Sequence, residues 1–197
     1  MNKKVLIGII MVAIIAIAVG CGVFYFKNKD DVKNAILTNE NVQEKIGEHL
    51  KWFSAAYDGE IYGWPRIYTY KNVTDKVNIP GVERSTYAEL YELEGAKSKE
   101  NMKNELAKYV DSSKFNKFEY FLSEDLKDYN GKVYWINGGV GDAPVLDVST
   151  AKVLSSENGI SKVKIAIDNP FEDIEQYVVV TVEYKNGKYL ITDWSEQ

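Results

Sequence analysis

The sequence predicts an α+β protein: an N-terminal membrane helix, then helices packed against an antiparallel β-sheet. Three observations carry this reading. Val5 to Phe26 is a run of 22 residues without a charge, VLIGIIMVAIIAIAVGCGVFYF. Beyond it, apolar residues recur at helical spacing through the first half of the remaining chain, and two-residue alternation with Asn-Gly turns governs the last part.

As a helix the uncharged run is about 33 Å long at 1.5 Å per residue, which matches the hydrocarbon core of a bilayer. Lys3 and Lys4 before it resemble the positive n-region of an export signal, and such charge tends to stay cytoplasmic. Residues 30–197 are therefore expected outside the cytoplasm. Lys27 and Lys29 sit on the far flank, but Asp30 and Asp31 follow them, so the asymmetry that sets orientation is small. Two anchors stay open. Ile17-Ala18-Val19-Gly20-Cys21 resembles a bacterial lipobox, in which cleavage before the cysteine exposes Cys21 for diacylglycerol attachment. Against cleavage, Gly22 to Phe26 remains apolar, and Phe24, Tyr25 and Phe26 read as an interfacial aromatic belt. The uncleaved helix is favoured, and both versions leave the remainder tethered to the cell membrane. The expected organisation is 1–29 as signal or membrane anchor and 30–197 as a single extracytoplasmic domain, a length that suits one core.

Within that domain, Asn39 is placed to cap a helix whose Val42, Ile46, Leu50, Phe53 and Tyr57 share one face, with a stop at Asp58-Gly59. Ile61 to Tyr70 is aromatic-rich and broken by Gly63 and Pro65, so an irregular segment is expected, with extended structure from Ile67 to Val73 and a turn at Ile79-Pro80-Gly81-Val82. Ser98 can cap a helix carrying Met102, Leu106, Tyr109 and Val110. Asp111 or Ser112 can cap a second one with Phe115, Phe118, Phe121 and Leu122. From Asn130 the pattern becomes strands: Lys132–Ile136, Val145–Leu154, Lys162–Asp168, and an alternating pair from Tyr177 and Tyr189 onward joined by Asn186-Gly187, a type I′ hairpin signal. A further turn falls at Asn158-Gly159.

Charge and composition exclude several functions. The chain holds 24 basic and 29 acidic side chains, one His and one Cys. The first 29 residues contain four lysines and no acid, which leaves 30–197 with 29 acidic and 20 basic side chains, a net of −9. Such a surface favours basic partners and speaks against nucleic acid. A nucleophile–histidine site would rest on His49 alone, a zinc cluster lacks ligands, and no disulfide can form within one chain. No metal or cofactor is expected. His49, four residues after Lys45, reads as a helix-boundary or surface histidine. Carboxylate pairs such as Asp58 with Glu60, or Glu124 with Asp125, fit glycosidase chemistry in type, yet nothing selects one pair among so many acids. No enzyme is expected. Tyr57, Tyr62, Trp64, Tyr68 and Tyr70 have the flat faces of a sugar or peptide platform, but packing over the open side of the sheet is the favoured reading.

Asn137 to Pro144 is the most informative segment. Gly138, Gly139 and Gly141 permit backbone angles that other residues avoid, Pro144 fixes the exit and Asp142 puts a charge at the tip. The segment is either a long turn or a presented probe. It is a weak match to nucleotide loops, since no strand–loop–helix order surrounds it and no Lys follows.

The run from Tyr87-Ala-Glu-Leu90, through the Lys-rich helix Ser98–Tyr109, to Asn130-Gly-Lys-Val-Tyr134, the Gly-Gly loop and Ala151-Lys152 resembles the IseA-type inhibitors of peptidoglycan DL-endopeptidases, over about residues 40–194. The resemblance implies a mixed helical and sheet fold in a Gram-positive envelope, with an acidic loop that plugs NlpC-type cell-wall hydrolases. By position, that loop is 137–144, with Gly138, Gly139, Gly141 and Asp142 binding the partner hydrolase. This loop carries more glycine and less acid than the family's. The membrane helix also differs from secreted members and would confine inhibition to the membrane face of the wall. The competing reading is a non-enzymatic cystatin-like cone, a scaffold or small-ligand binder at the envelope. It would turn Trp64, Tyr68 and Trp135 into a deep pocket, whereas an inhibitor would project 137–144.

Overall fold

In a computed structural model of the chain, the described residues are 35–82, 89–118, 122, 124–137, 143–171 and 175–197, without the side chains of 60–62. The chain divides into Met1–Ile36 and a compact unit, Leu37–Gln197. Residues 5–26, with Cys21, lie outside the described residues. Among those described, no helix is long and apolar enough to cross a membrane.

The unit Leu37–Gln197 is α+β, as the sequence predicts, but it holds two antiparallel sheets where one is expected. Helix α1 (Val42–Tyr62) is followed by a 3-10 turn, Trp64–Arg66. Strands β1 (Thr69–Asn72) and β2 (Glu89–Glu94) come next, then α2 (Lys99–Leu106) and a 3-10 helix, Ser112–Lys117. Strands β3 (Leu126–Tyr129) and β4 (Lys132–Asn137) complete one sheet, in the order β1-β2-β4-β3. Strands β5 (Val145–Glu157), β6 (Ile160–Asp168), β7 (Gln176–Lys185) and β8 (Lys188–Glu196) form the second, a meander in sequence order.

Three hairpins close on Asn-Gly pairs. Asn130-Gly131, Asn158-Gly159 and Asn186-Gly187 all have positive φ at both residues, from 50° to 79°, the geometry of a type I′ turn and the reason for these residue types. The first pair joins β3 to β4, a hairpin that the sequence pattern does not predict.

The helix α1 keeps its predicted apolar face: Val42, Ile46, Leu50 and Phe53 are buried, and α1 packs chiefly on β5. Its start differs from expectation. Asn41, not Asn39, occupies the cap position, without a side-chain cap bond, and its Oδ1 accepts from the Thr38 amide at 2.8 Å. Asn39 has another task, accepting from the Val153 amide at 2.8 Å. Gln43 donates to the Val148 carbonyl at 2.7 Å, and Ser156 Oγ accepts from the Leu37 amide at 2.9 Å. Asn39 and Gln43 thus bond backbone groups of β5, the outer strand of its sheet, whose free edge otherwise invites pairing with another chain. At Gly59, where a stop is expected, the backbone leaves the helix with φ 73° and then resumes it.

Ser98 caps α2 as predicted, accepting from the Asn101 amide at 3.0 Å. Asp111 likewise caps the next element through Ser113 at 2.9 Å, but that element is 3-10 rather than α-helical. Phe115 and Phe118 stand three apart, a spacing that one face of either helix satisfies. The segment between α2 and the 3-10 helix also binds the far edge of the meander: Ile191 donates to the Tyr109 carbonyl at 2.9 Å and accepts from the Asp111 amide at 2.8 Å. One core joins Leu50, Phe53 and Trp64 to Leu93 and Trp135 of the first sheet and to Val163, Val180 and Ile191 of the second. A smaller cluster of Val73, Ile79, Leu90 and Tyr134 covers the other face of the first sheet.

Candidate functional site

Gly138, Gly139, Gly141 and Asp142 lie outside the described residues, so the geometry of the candidate loop is that of its two ends. On one side is Asn137, the last residue of β4, paired across to Glu89 of β2. On the other are Ala143, Pro144 and Val145, the last pairing with Asp168 of β6. Strands β4 and β5 belong to different sheets and do not pair, so this segment links the two sheets rather than closing a hairpin.

The second end is clamped. Both Asp58 carboxylate oxygens accept from the Leu146 amide, at 3.1 and 3.2 Å, and Arg66 Nη1 donates to Oδ2 at 2.5 Å. The Asp58 side chain is 1 % exposed and that of Arg66 is 27 % exposed. Burial dominates the acid's titration and pushes Asp58 up to about 6, while the Arg66 charge and the Leu146 amide pull the other way. The sequence suggests Asp58 only as a partner for Glu60. Its actual partners come from 8 and 88 residues away. The turn at Gly63 leads Arg66 back toward Asp58, and a Cβ on Gly63 would lie 2.1 Å from the Ala55 carbonyl oxygen, so only glycine fits there.

The other carboxylate pair suggested by the sequence, Glu124 and Asp125, is exposed at the turn before β3. Among the described residues no three His, Cys, Asp or Glu side chains converge as metal ligands.

Of the aromatic residues, Tyr57, Tyr68 and Tyr70 are partly buried against the core, and the side chain of Tyr62 lies outside the described residues. Trp64 is fully buried and Trp135 is 5 % exposed. Trp64 contacts Trp52 at 6.5 Å and Tyr68 at 6.4 Å between ring centroids, and Trp135 packs on Tyr70 and Tyr91 at 5.0 and 5.4 Å. These rings pack in or against the main core.

His49 is neither at a helix boundary nor on the surface. It is half-buried in the middle of α1, edge-on to Tyr109 at 5.2 Å and to Tyr189 at 6.3 Å. Its Nε2 lies 3.0 Å from the Tyr189 carbonyl. A carbonyl only accepts, so Nε2 carries the hydrogen, and Nδ1 is buried without a partner among the described residues. Burial lowers its pKa, which keeps the ring neutral at pH 7.

A cavity of about 510 Å³ opens elsewhere, between the residues just after α2 and the β7–β8 turn. Lys108, Lys185 and Lys188 border it with Glu183 and Thr192, over an apolar floor that includes Leu190. Sequence reasoning does not single out these lysines. The signal available is Lys185-Asn-Gly-Lys188, a lysine on each side of a tight turn. No protein-family model and no curated protein matches the chain.

Proposed function

We propose that residues 30–197 act outside the cytoplasm, tethered to the cell membrane through residues 5–26 or a lipid on Cys21, as an inhibitor of peptidoglycan DL-endopeptidases of the NlpC type. Residues 138–142 are the part that docks, with Gly138, Gly139 and Gly141 shaping the backbone and Asp142 supplying the charge. The observation that carries this reading is the anchoring of the segment's ends. One end runs from a central strand of the first sheet, and the other is fixed by the buried Asp58 carboxylate on Leu146. Fixed ends limit the ordering entropy that a binding loop loses on docking. The net charge of −9 adds long-range attraction to a basic cleft and predicts inhibition that weakens with salt. No catalytic residue is required of this chain.

The test is hydrolysis of peptidoglycan by a DL-endopeptidase of the same organism, with the 30–197 fragment added. Saturating fragment is expected to slow release of stem-peptide products, and Asp142→Lys is expected to raise the concentration for half-inhibition about tenfold, the scale of a reversed charge in an interface. The thermal midpoint of the variant should be unchanged. Undiminished hydrolysis across all such enzymes of the organism would remove the reading.

A second reading, a cystatin-like scaffold or small-ligand binder at the envelope, draws support from α1 lying on β5 of the antiparallel meander. It predicts no effect of the fragment on hydrolysis.

A further inference from the structure

From the cavity bordered by Lys108, Lys185 and Lys188, we infer that the chain binds a small organic anion between α2 and the β7–β8 turn, with a carboxylate or phosphate head on the lysines and an apolar body on Leu190. This proposal does not depend on the inhibitor reading.

Three observations converge. The volume, about 510 Å³, is that of a small-molecule pocket, and a mixed lining of apolar floor and a few charged groups is the usual chemistry of such pockets. Next, Lys185 and Lys188 stand directly opposite one another in the β7–β8 register. Like charges in that relation repel and weaken a hairpin. An anion held between them turns this repulsion into two attractions.

The third observation is the contrast with the surrounding charge. The domain carries nine more acids than bases, and other lysines have found carboxylates: Lys117 reaches Asp193 at 2.7 Å, Lys132 reaches Glu92 at 2.7 Å and Lys164 reaches Glu175 at 2.5 Å. Lys108 is likewise held, by Glu105 at 2.6 Å. Among the described residues, Lys185 and Lys188 form no ion pair, and Glu183 is the one acid bordering the cavity, its Oε1 3.3 Å from the Thr192 hydroxyl. With Lys108 offset by Glu105, Lys185 and Lys188 against Glu183 leave the opening positive. An extended polyanion would meet the repulsion of the whole domain, whereas a small anion meets mainly the local field.

The experiment uses the full-length chain in lipid nanodiscs and ligand-observed saturation-transfer NMR, with empty nanodiscs subtracted. The observed probes are benzoate, phenyl phosphate and the neutral isostere benzamide, and inorganic phosphate, which has no carbon-bound hydrogen to observe, is added as a competitor of phenyl phosphate. Saturable binding of benzoate or phenyl phosphate is expected, and the stronger of the two identifies the head group. Benzamide should bind at least about fivefold more weakly than benzoate, the scale of one exposed charge contact. The double variant Lys185→Gln, Lys188→Gln lies at an exposed turn and should retain the wild-type thermal midpoint or better. It should lose the preference for benzoate over benzamide. Equal binding of benzamide, displacement of half the phenyl phosphate by an equal concentration of inorganic phosphate, an unchanged preference in the double variant, or no saturable binding of either aromatic anion would each overturn the proposal.

Discussion

Trp64→Ala is expected to lower the unfolding free energy of the domain by about 3–5 kcal/mol, the range for removing a fully buried large aromatic from a core that relaxes only in part. Trp64 has no exposed surface and holds the turn Trp64–Arg66 against α1 by packing on Trp52 and Tyr68. The turn itself is closed by the Trp64 carbonyl, which accepts from the Ile67 and Tyr68 amides at 2.9 and 2.8 Å. Losing the ring therefore frees the segment that delivers Arg66 to Asp58. Total stabilities of domains this size are about 5–15 kcal/mol, so the loss is a large share of the whole. Urea denaturation followed by the far-ultraviolet signal measures the loss. Trp64→Phe should cost distinctly less, and equal losses from the two variants would mean that ring volume is not what the site uses.

The second large effect is at Asp58, and it is a pH effect. An aspartate ordinarily titrates near 3.8, and burial raises Asp58 to about 6 in the folded chain. Between these values the folded chain holds a proton that the unfolded chain has released, so this residue's contribution to stability falls as pH rises through the window and levels off above it. The whole change is about 3 kcal/mol, from about 1.4 kcal/mol for each tenfold change in proton affinity. Asp58→Asn keeps an oxygen for the Leu146 amide and removes the titration. It should flatten that segment of the stability–pH curve. Asp58→Ala removes the acceptor as well. Leaving the Leu146 amide unsatisfied should cost about 1–3 kcal/mol, and the start of β5 should exchange its amide hydrogens faster. Hydrogen exchange at Leu146 in wild type and both variants checks this. Equal protection in all three would show that the carboxylate does not hold that end of the segment.

The parts of the fold that can be read in the sequence are those set by local chemistry. Asn158-Gly159 and Asn186-Gly187 announce their hairpins because few other pairs accept two positive φ angles, and Ser98 and Asp111 announce caps because their oxygens reach amides two or three residues on. Strand β2 is hidden. In Glu89-Leu-Tyr-Glu-Leu-Glu94, Leu93 faces the main core and Leu90 the smaller cluster, so covering both faces of the first sheet erases the two-residue alternation. Strand β3 is only four residues long, too short to show a pattern before Asn130-Gly131.

Contacts made over long separations account for the rest. Asn39 resembles a cap by type, but its oxygen goes to Val153, 114 residues away. His49 resembles a surface residue beside Lys45 and Glu48, yet Tyr109 and Tyr189 close over it from other elements. The aromatic stretch from Tyr57 to Tyr70 offers two readings, and only the burial of Trp64 favours packing over display. For the candidate loop, the glycines and Asp142 are visible in the chain, while the clamp on its end is not. The Asp58–Leu146 bond joins positions 88 residues apart, and no local pattern encodes it.

The most direct measurement of whether this chain works by docking through residues 138–142 is photo-crosslinking in the living cells that make it. A photoreactive amino acid is placed at Val140 in one strain and at Thr181, on β7, in another. A covalent adduct with a cell-wall endopeptidase is predicted from position 140 and none from position 181. Adducts from both positions alike, or none from position 140 while the tethered chain is present at its normal level, would contradict it.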